Sequence, residues 1–256
     1  MWEALIITPL TSLLLWIYDL VGNNFGVAII VFTILIRVIT WPLNAQQMKG
    51  AAAMQELQND KEWQAIQKKY KDDREKLAQE QMRIYKEKGI NPFGSCLPTL
   101  IQFPIIIGLY QSIIRALAAT PLDLLKLSRS ISINPDLVNL IPLNSKFLWM
   151  DLSRPESINI FGFAFPSLAL IVAITTYIQS KLTTPTSSNP NDQSAAMSRQ
   201  MTIMMPLMLG YFALTFASGL SVYFITSNLL GIVQYAMMGK ANWRNLIPGT
   251  KQTPAK

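Results

Sequence analysis

The sequence predicts an all-α integral membrane protein with five transmembrane helices, an N-terminal interfacial amphipathic helix and a cytoplasmic helical hairpin. Three observations lead there. Half of the 256 residues are hydrophobic and only 14% are charged, against about 25% in soluble domains. Five apolar runs approach or reach the length that crosses hydrocarbon at about 1.5 Å of rise per helical residue. Between the first two runs lies a single polar stretch built from good helix formers.

Residues 1–24 have no basic leader and carry Glu3 and Asp19, unlike a cleaved signal peptide. Thr8-Pro9 has the form of an N-cap and first helical position. Thr8, Thr11, Ser12 and Asp19 then fall on one narrow polar stripe among Leu, Ile and Trp, the pattern of a helix lying in the membrane interface. Gly22-Asn23-Asn24 breaks it. The first span, residues 25–44, holds seventeen almost unbroken apolar residues from Val27 to Leu43 and one charge, Arg37.

Residues 45–90 carry ten Lys/Arg and eight Asp/Glu. Trp63, Ile66, Tyr70, Leu77 and Ile84 recur near heptad spacing, so two antiparallel helices are expected, turning at Asn59-Asp60 and closed by Gly89. This hairpin is a docking arm in one reading, with Lys61, Trp63, Lys68, Lys69, Lys71 and Arg74 as contacts, and a solvated loop in the other. The second span covers 91–115 and an external loop 116–158. The third span covers 159–181 and a cytoplasmic loop 182–198. From Met201 to Gly239 no charge occurs in thirty-nine residues, which is two spans, 199–217 and 218–239, with a tight turn at Ser218-Gly219. A basic tail, 240–256, follows.

Five spans put the two ends on opposite sides. Placing 45–90, 181–199 and the tail in the cytoplasm collects ten, two and four Lys/Arg and leaves five outside. The positive-inside rule therefore orients the N-terminus outward and the C-terminus inward. The net charge of +7 follows from those loops. One cysteine, Cys96, and no histidine exclude an internal disulfide, the usual transition-metal sites and His-based catalysis. Gly89 and Gly94 match two positions of a phosphate loop, but its Lys is missing. The halves show no repeat of the kind that builds transporters.

An arginine at the centre of a membrane costs roughly 2.5–3.5 kcal/mol on insertion scales. Arg37 stands about eight residues, or roughly 12 Å, from the cytoplasmic end of its span. It either snorkels to lipid phosphates or faces other polar groups. Those groups exist at matching depth: Thr99 and Gln102 in the second span, Thr175 and Gln179 in the third, and Ser227, Asn228 and Gln234 in the fifth, with Tyr223 and Phe224 a turn above. Together they suggest a wet groove open to the cytoplasm, with Arg37 as its charge. No acidic residue lies inside a span, so a carboxylate proton relay is excluded. A small-anion transporter or channel binding at Arg37 is the alternative reading. Met197, Met201, Met204, Met205 and Met208 are either ordinary packing or an adaptable apolar surface.

Five stretches, in order, resemble the YidC-type membrane protein insertases, relatives of the mitochondrial Oxa and chloroplast Albino proteins. They are FTILIRVITWPL (32–43), NPFGSCLPTLIQFPIIIGLYQSI (91–113), TTYIQSKL (175–182), MTIMMPLMLGYF (201–212) and SGLSVYFITSNLLGIVQ (218–234). The resemblance is to the minimal form, without the large periplasmic domain of some members. It implies a membrane insertase and chaperone rather than an enzyme, with no cofactor and no nucleotide hydrolysis. Arg37 would draw the polar tail of a nascent membrane protein into the groove, and the arriving segment would leave sideways into lipid. Implied partners are nascent chains, lipids, ribosomes or targeting factors at 45–90 and the tail, and a general translocon. The implied setting is a bacterial plasma membrane, or alternatively a thylakoid. Where many members have Tyr-Trp in the last span, this chain has Tyr223-Phe224, an aromatic pair without the indole.

Overall fold

The computed structural model of the chain describes residues 3–58, 60–70, 73–89, 97–117, 143–160, 163–183 and 193–238, some by backbone alone. It is mainly helical and divides into two compact units. The first gathers Met1–Ile39, Gln102–Thr176 and Pro206–Leu230; the second gathers Thr40–Ile101, Tyr177–Met205 and Gly231–Lys256.

In the first unit the chain enters through a π-helical turn, Glu3–Ile7, that runs straight into α1, Thr8–Leu20. Thr8 is therefore not an N-cap. Ile7 already has helical φ and ψ and no side chain caps it. Pro9 sits in the first α-turn, where its missing N–H costs least. Thr11 also departs from the expected polar stripe: it is buried, and its hydroxyl donates to the Ile7 carbonyl at 2.8 Å. Asp19 of that stripe is exposed and Thr8 and Ser12 are half-buried, while Leu5, Trp16 and Leu20 are exposed as well.

Gly22 (φ +74°) and Asn23 (φ +62°) turn the chain in left-handed conformations. The Asn24 side chain then accepts from the Val27 amide at 3.1 Å and starts α2, Phe25–Ile39. Phe25, Ala28, Ile29, Phe32 and Thr33 are buried at helical spacing; Ile34, Leu35, Val38 and Ile39 are exposed. α2 stops short of the expected residue 44. Pro42 cannot donate to the carbonyl of Val38, so the helix breaks at Thr40 and a new one, α3, Trp41–Gln58, begins.

Two further helices, α4 (Lys61–Lys69) and α5 (Arg74–Glu87), follow in the second unit. Residues 45–90 thus form three helical segments rather than two. α4 ends at Lys69 with Tyr70 as its C-cap, and Asp73 accepts from the Lys76 amide at 3.1 Å and starts a fresh helix. Asp60 caps α4 through the Glu62 amide at 2.8 Å and pairs with Lys88, whose neighbour Gly89 has φ +64°. Leu57, Trp63, Ile84 and Tyr85 form a buried cluster, with Ile66 and Leu77 packed on it.

Helix α6, Leu97–Leu117, ends in the first unit. A Cβ on Gly108 would stand 2.7 Å from Ile6 and 2.9 Å from Leu10, so only glycine admits that approach. Arg115 pairs with Glu3. The expected all-α architecture needs one correction. β1 (Lys146–Phe147) pairs antiparallel with β2 (Met150–Asp151), and β3 (Ile158–Ile160) with β4 (Phe163–Phe165). The third span, expected from 159, begins only after Pro166, as α7, Ser167–Thr183. Ile and Phe at 158–165 suit a strand pair, and Pro166 fixes the helix start, accepting from the Leu170 amide at 3.3 Å.

Helix α8, Gln193–Thr215, starts earlier than the expected 199, because Ala195, Ala196 and Met197 are good helix formers. The turn to α9, Ser218–Met237, lies at Phe216-Ala217, so Ser218 and Gly219 are already helical. Among the described residues only Ser218–Met237 is long and apolar enough to cross a membrane by itself. Leu5–Leu20, Phe25–Ile39, Pro104–Leu117 and Thr202–Thr215 are shorter apolar helices.

The core is apolar but also holds polar side chains, and much of the helix surface is apolar too. Thr33, Ser112, Thr176, Ser221, Ser227 and Asn228 are buried, while Ile174, Ile203, Met204, Leu207, Met208, Tyr211 and Leu229 are exposed. Exposed apolar residues in this number mark a surface that meets a membrane or a protein partner. The three methionines of α8 described here, Met204, Met205 and Met208, belong to that outward surface rather than to the core.

Candidate functional site: a polar cluster around Arg37

Within the first unit, Arg37 lies one turn from the end of α2, half-buried among apolar helices. Its guanidinium reaches α9. Nε donates to Ser227 Oγ at 3.1 Å, and Nη2 donates to Ser227 Oγ at 2.6 Å and to the Ser227 carbonyl at 2.7 Å. Both acceptors are neutral. Hydrogen bonds from a charged donor are stronger than neutral ones.

The next residue, Asn228, is turned about 100° further round α9 and meets α7. Its Nδ2 donates to Thr175 Oγ1 at 3.1 Å and to Thr176 Oγ1 at 2.8 Å. Thr175 Oγ1 in turn lies 2.8 Å from the Ile171 carbonyl. Two consecutive residues of α9 therefore tie it to α2 on one side and to α7 on the other. One turn earlier, Tyr223 shares the face of Ser227 and Phe224 that of Asn228. Their rings lie 5.6 Å apart, and both are buried. Tyr223 stands within electrostatic range of the guanidinium.

Of the expected polar residues, the structure brings together Arg37, Tyr223, Ser227, Asn228 and Thr175, with Thr176 beside Thr175. Phe224 is packed inside the bundle rather than lining an open surface. Gln179 and Gln234 belong to the second unit; Gln179 is half-buried. Gln234 is buried, and its Nε2 has no hydrogen-bond partner among the described residues. The side chains of Thr99 and Gln102 lie outside the described residues.

In the hairpin, Lys61, Lys68 and Lys69 are exposed, and Lys69 Nζ lies over the Tyr70 ring at 5.1 Å. Trp63 differs from the expectation. It is 3% exposed and holds α4 to α5, because a large apolar ring at the seam gains more from burial than from an open surface. Lys71 and the Arg74 side chain lie outside the described residues.

One functional feature has no signal in the sequence. Glu156 accepts from Ser167 Oγ at 2.8 Å and from the Leu168 amide at 3.0 Å, capping α7 from eleven residues away. Local capping rules look three residues ahead, and β3 and β4 intervene.

Comparison with known proteins adds the following. The family described as 60Kd inner membrane protein matches residues 16–244. A membrane protein insertase named YidC 2 from Listeria innocua is 35% identical over 237 residues, covering 91% of this chain and 70% of the relative. The insertase MisCA of Bacillus subtilis is 33% identical, covering 91% and 77%. The YidC insertase of Oceanobacillus iheyensis is 32% identical, covering 93% and 84%. Among solved structures, that of an active YidC insertase with its first transmembrane domain resolved superposes with a TM-score of 0.59 at 26% identity. It aligns with 93% of this chain, which spans under half, 46%, of that longer protein.

Proposed function

Since the chain belongs to the 60Kd inner membrane protein family, that of the YidC insertases, we propose that it inserts nascent membrane proteins into a bacterial inner membrane and chaperones them there. α2, α6, α7, α8 and α9 are its five spans. The N-terminus lies outside and the C-terminus in the cytoplasm, as the lysine and arginine distribution favours. α1 lies in the outer interface.

The observation that carries the reading is the half-buried guanidinium of Arg37, seated on the oxygens of Ser227 beside the polar cluster of Asn228, Thr175 and Thr176. A carboxylate or polar tail entering from the cytoplasm exchanges water for this charge. At an effective dielectric near 20, a pair at 4 Å is worth about 4 kcal/mol before desolvation. That attraction holds the tail while the following apolar segment leaves into lipid along the exposed faces of α7 and α9. The transfer of that segment, roughly 25 cal/mol for each Å² of apolar surface removed from water, drives the step, so no nucleotide hydrolysis is required. The exposed lysines of α4, together with the basic tail, receive a ribosome or a targeting factor on the cytoplasmic side.

Reconstitution in vesicles tests this. Arg37→Glu should abolish insertion of substrates with acidic tails while leaving the protein folded, and Arg37→Lys should retain part of it. Undiminished insertion by Arg37→Glu would remove the electrostatic step.

A further inference from the structure

One short segment, residues 144–156, is tied to the starts of three helices of the first unit. The Phe147 ring lies against Gly26, the second residue of α2. The Gly219 amide donates to the Leu152 carbonyl at 3.1 Å, and the Ser218 amide to the Arg154 carbonyl at 2.9 Å, at the start of α9. Glu156 caps α7. Tyr18 accepts at its hydroxyl from the Asn144 amide at 3.0 Å. Three apolar helices therefore begin at one level, and this segment marks it.

The turn between β1 and β2 points two large apolar residues away from that anchorage. Leu148 is 74% and Trp149 57% exposed. Leu148 has φ +54°, a left-handed conformation rare for a leucine, so the turn displays the side chain rather than tucking it in. The Trp149 Nε1 donates to Glu156 Oε1 at 3.2 Å, which leaves the indole's apolar edge outward. The exposed apolar band of α7 starts close by, at Leu170 and Ile171. Around the turn the acids are engaged internally: Asp151 accepts from the Ser153 amide and hydroxyl, and Glu156 serves α7. The cations Lys146 and Arg154 are exposed.

We propose that the Leu148-Trp149 turn is a membrane anchor, seated at the headgroup–acyl boundary of the outer leaflet, with Lys146 and Arg154 directed at lipid phosphates. An amphipathic indole beside basic residues, at the level where spans begin, fits that boundary and no deeper layer. The anchor holds the segment onto the starts of α2, α7 and α9. It goes beyond the insertion reading and depends only on those three helices crossing a bilayer.

The test uses the full chain in phosphatidylglycerol–phosphatidylcholine vesicles, with Cys96→Ser and single cysteines at Leu148, Ser157 or Ile174 carrying a nitroxide. Collision with oxygen, relative to collision with a water-soluble nickel chelate, reports immersion. The ratio at 148 should be several-fold above that at Ser157, an exposed residue off the turn, and below that at Ile174 on the α7 face. A high ratio at 174 with equal ratios at 148 and 157 would overturn the anchor alone. A low ratio at 174 would overturn the spanning reading and the anchor with it. With Trp16→Phe as background, Trp149→Phe should lower the fraction of tryptophan emission quenched by lipids brominated near the headgroup; unchanged quenching would also overturn the anchor.

Discussion

Arg37 and Ser227, 190 residues apart, share three hydrogen bonds, two to the serine hydroxyl and one to its carbonyl. The hydroxyl can be removed without touching the carbonyl. Ser227→Ala should therefore leave Arg37 in place but less constrained, costing about 1–3 kcal/mol for the lost charge-assisted bonds. Ser227→Asp should neutralise the guanidinium and block insertion of acidic tails more severely than Ser227→Ala. Protease protection of a tailed substrate in reconstituted vesicles measures both. Equal activity of the two variants would show that Ser227 does not govern the availability of the charge.

Asn228 makes two side-chain bonds across to α7, at 3.1 and 2.8 Å. Hydrogen bonds between helices in membranes average about 0.6 kcal/mol each, so Asn228→Leu should cost roughly 1 kcal/mol and leave insertion of untailed substrates intact. The midpoint of unfolding by denaturing detergent measures it. A loss far above that would mean that Asn228 supports Arg37 through Ser227.

The proximity of Arg37, Ser227 and the polar residues beside Asn228 is legible in the sequence, because polar residues are rare enough in apolar runs to be matched by depth. The helix ends were less legible. Pro42 and Pro166 set the limits of α2 and α7, yet the apolar run continues across both positions, so hydropathy alone places the ends several residues off. Trp63 illustrates the opposite error. Surrounded by lysines, it reads as a surface contact, and its burial depends on Ile84 and Tyr85 meeting it from another helix. The contacts of residues 144–156 with three helix starts depend entirely on long-range packing and leave no local pattern.

Closure of the hairpin should depend on pH with two edges. The hydrogen bond from Lys88 holds the Asp60 carboxyl below its usual range, and Asp60 holds Lys88 above its own. Asp60's contribution is complete above the ordinary carboxylate value of about 3.9 and is lost as pH falls through its lower folded value. Lys88's contribution is complete below about 10.4 and is lost as pH rises through its raised value. Between those edges closure should be flat, and salt should weaken it. Asp60→Asn keeps the cap on the Glu62 amide but removes the pair, so it should abolish the alkaline edge and weaken the acid one, to which Asp73 also contributes at the start of α5. Amide exchange in α4 and α5 across pH follows this directly.

Trp63 and Ile84 close the hairpin from opposite helices, at 3% and 1% exposure. Replacing a buried tryptophan by alanine costs about 3–5 kcal/mol. In a module with so small a core, Trp63→Ala should open α4 from α5. Trp63→Phe should keep most of the packing. If the hairpin is a docking arm, Trp63→Ala should also weaken ribosome co-sedimentation, whereas charge reversal at Lys68 and Lys69 should weaken it with the helices still protected from exchange. Loss of binding in the first variant alone would make docking a matter of hairpin shape rather than of charge.

Gly26 provides the sharpest steric test. A Cβ built there would fall 2.1, 2.2 and 2.6 Å from three ring carbons of Phe147, far inside van der Waals contact. The obstacle is a side chain on β1 rather than backbone, so the ring can swing away, but then β1 and β2 lose their seat on α2. Gly26→Ala should destabilise by about 1–3 kcal/mol, as overpacking does. Phe147→Ala should destabilise as well, by vacating the same contact. Combined, the two changes should cost less than their sum, because the added methyl fills part of the space the ring leaves. A double-mutant cycle on detergent unfolding supplies the coupling. Strict additivity would mean that Phe147 does not rest on Gly26, and that the segment is held by its bonds to Tyr18, α7 and α9.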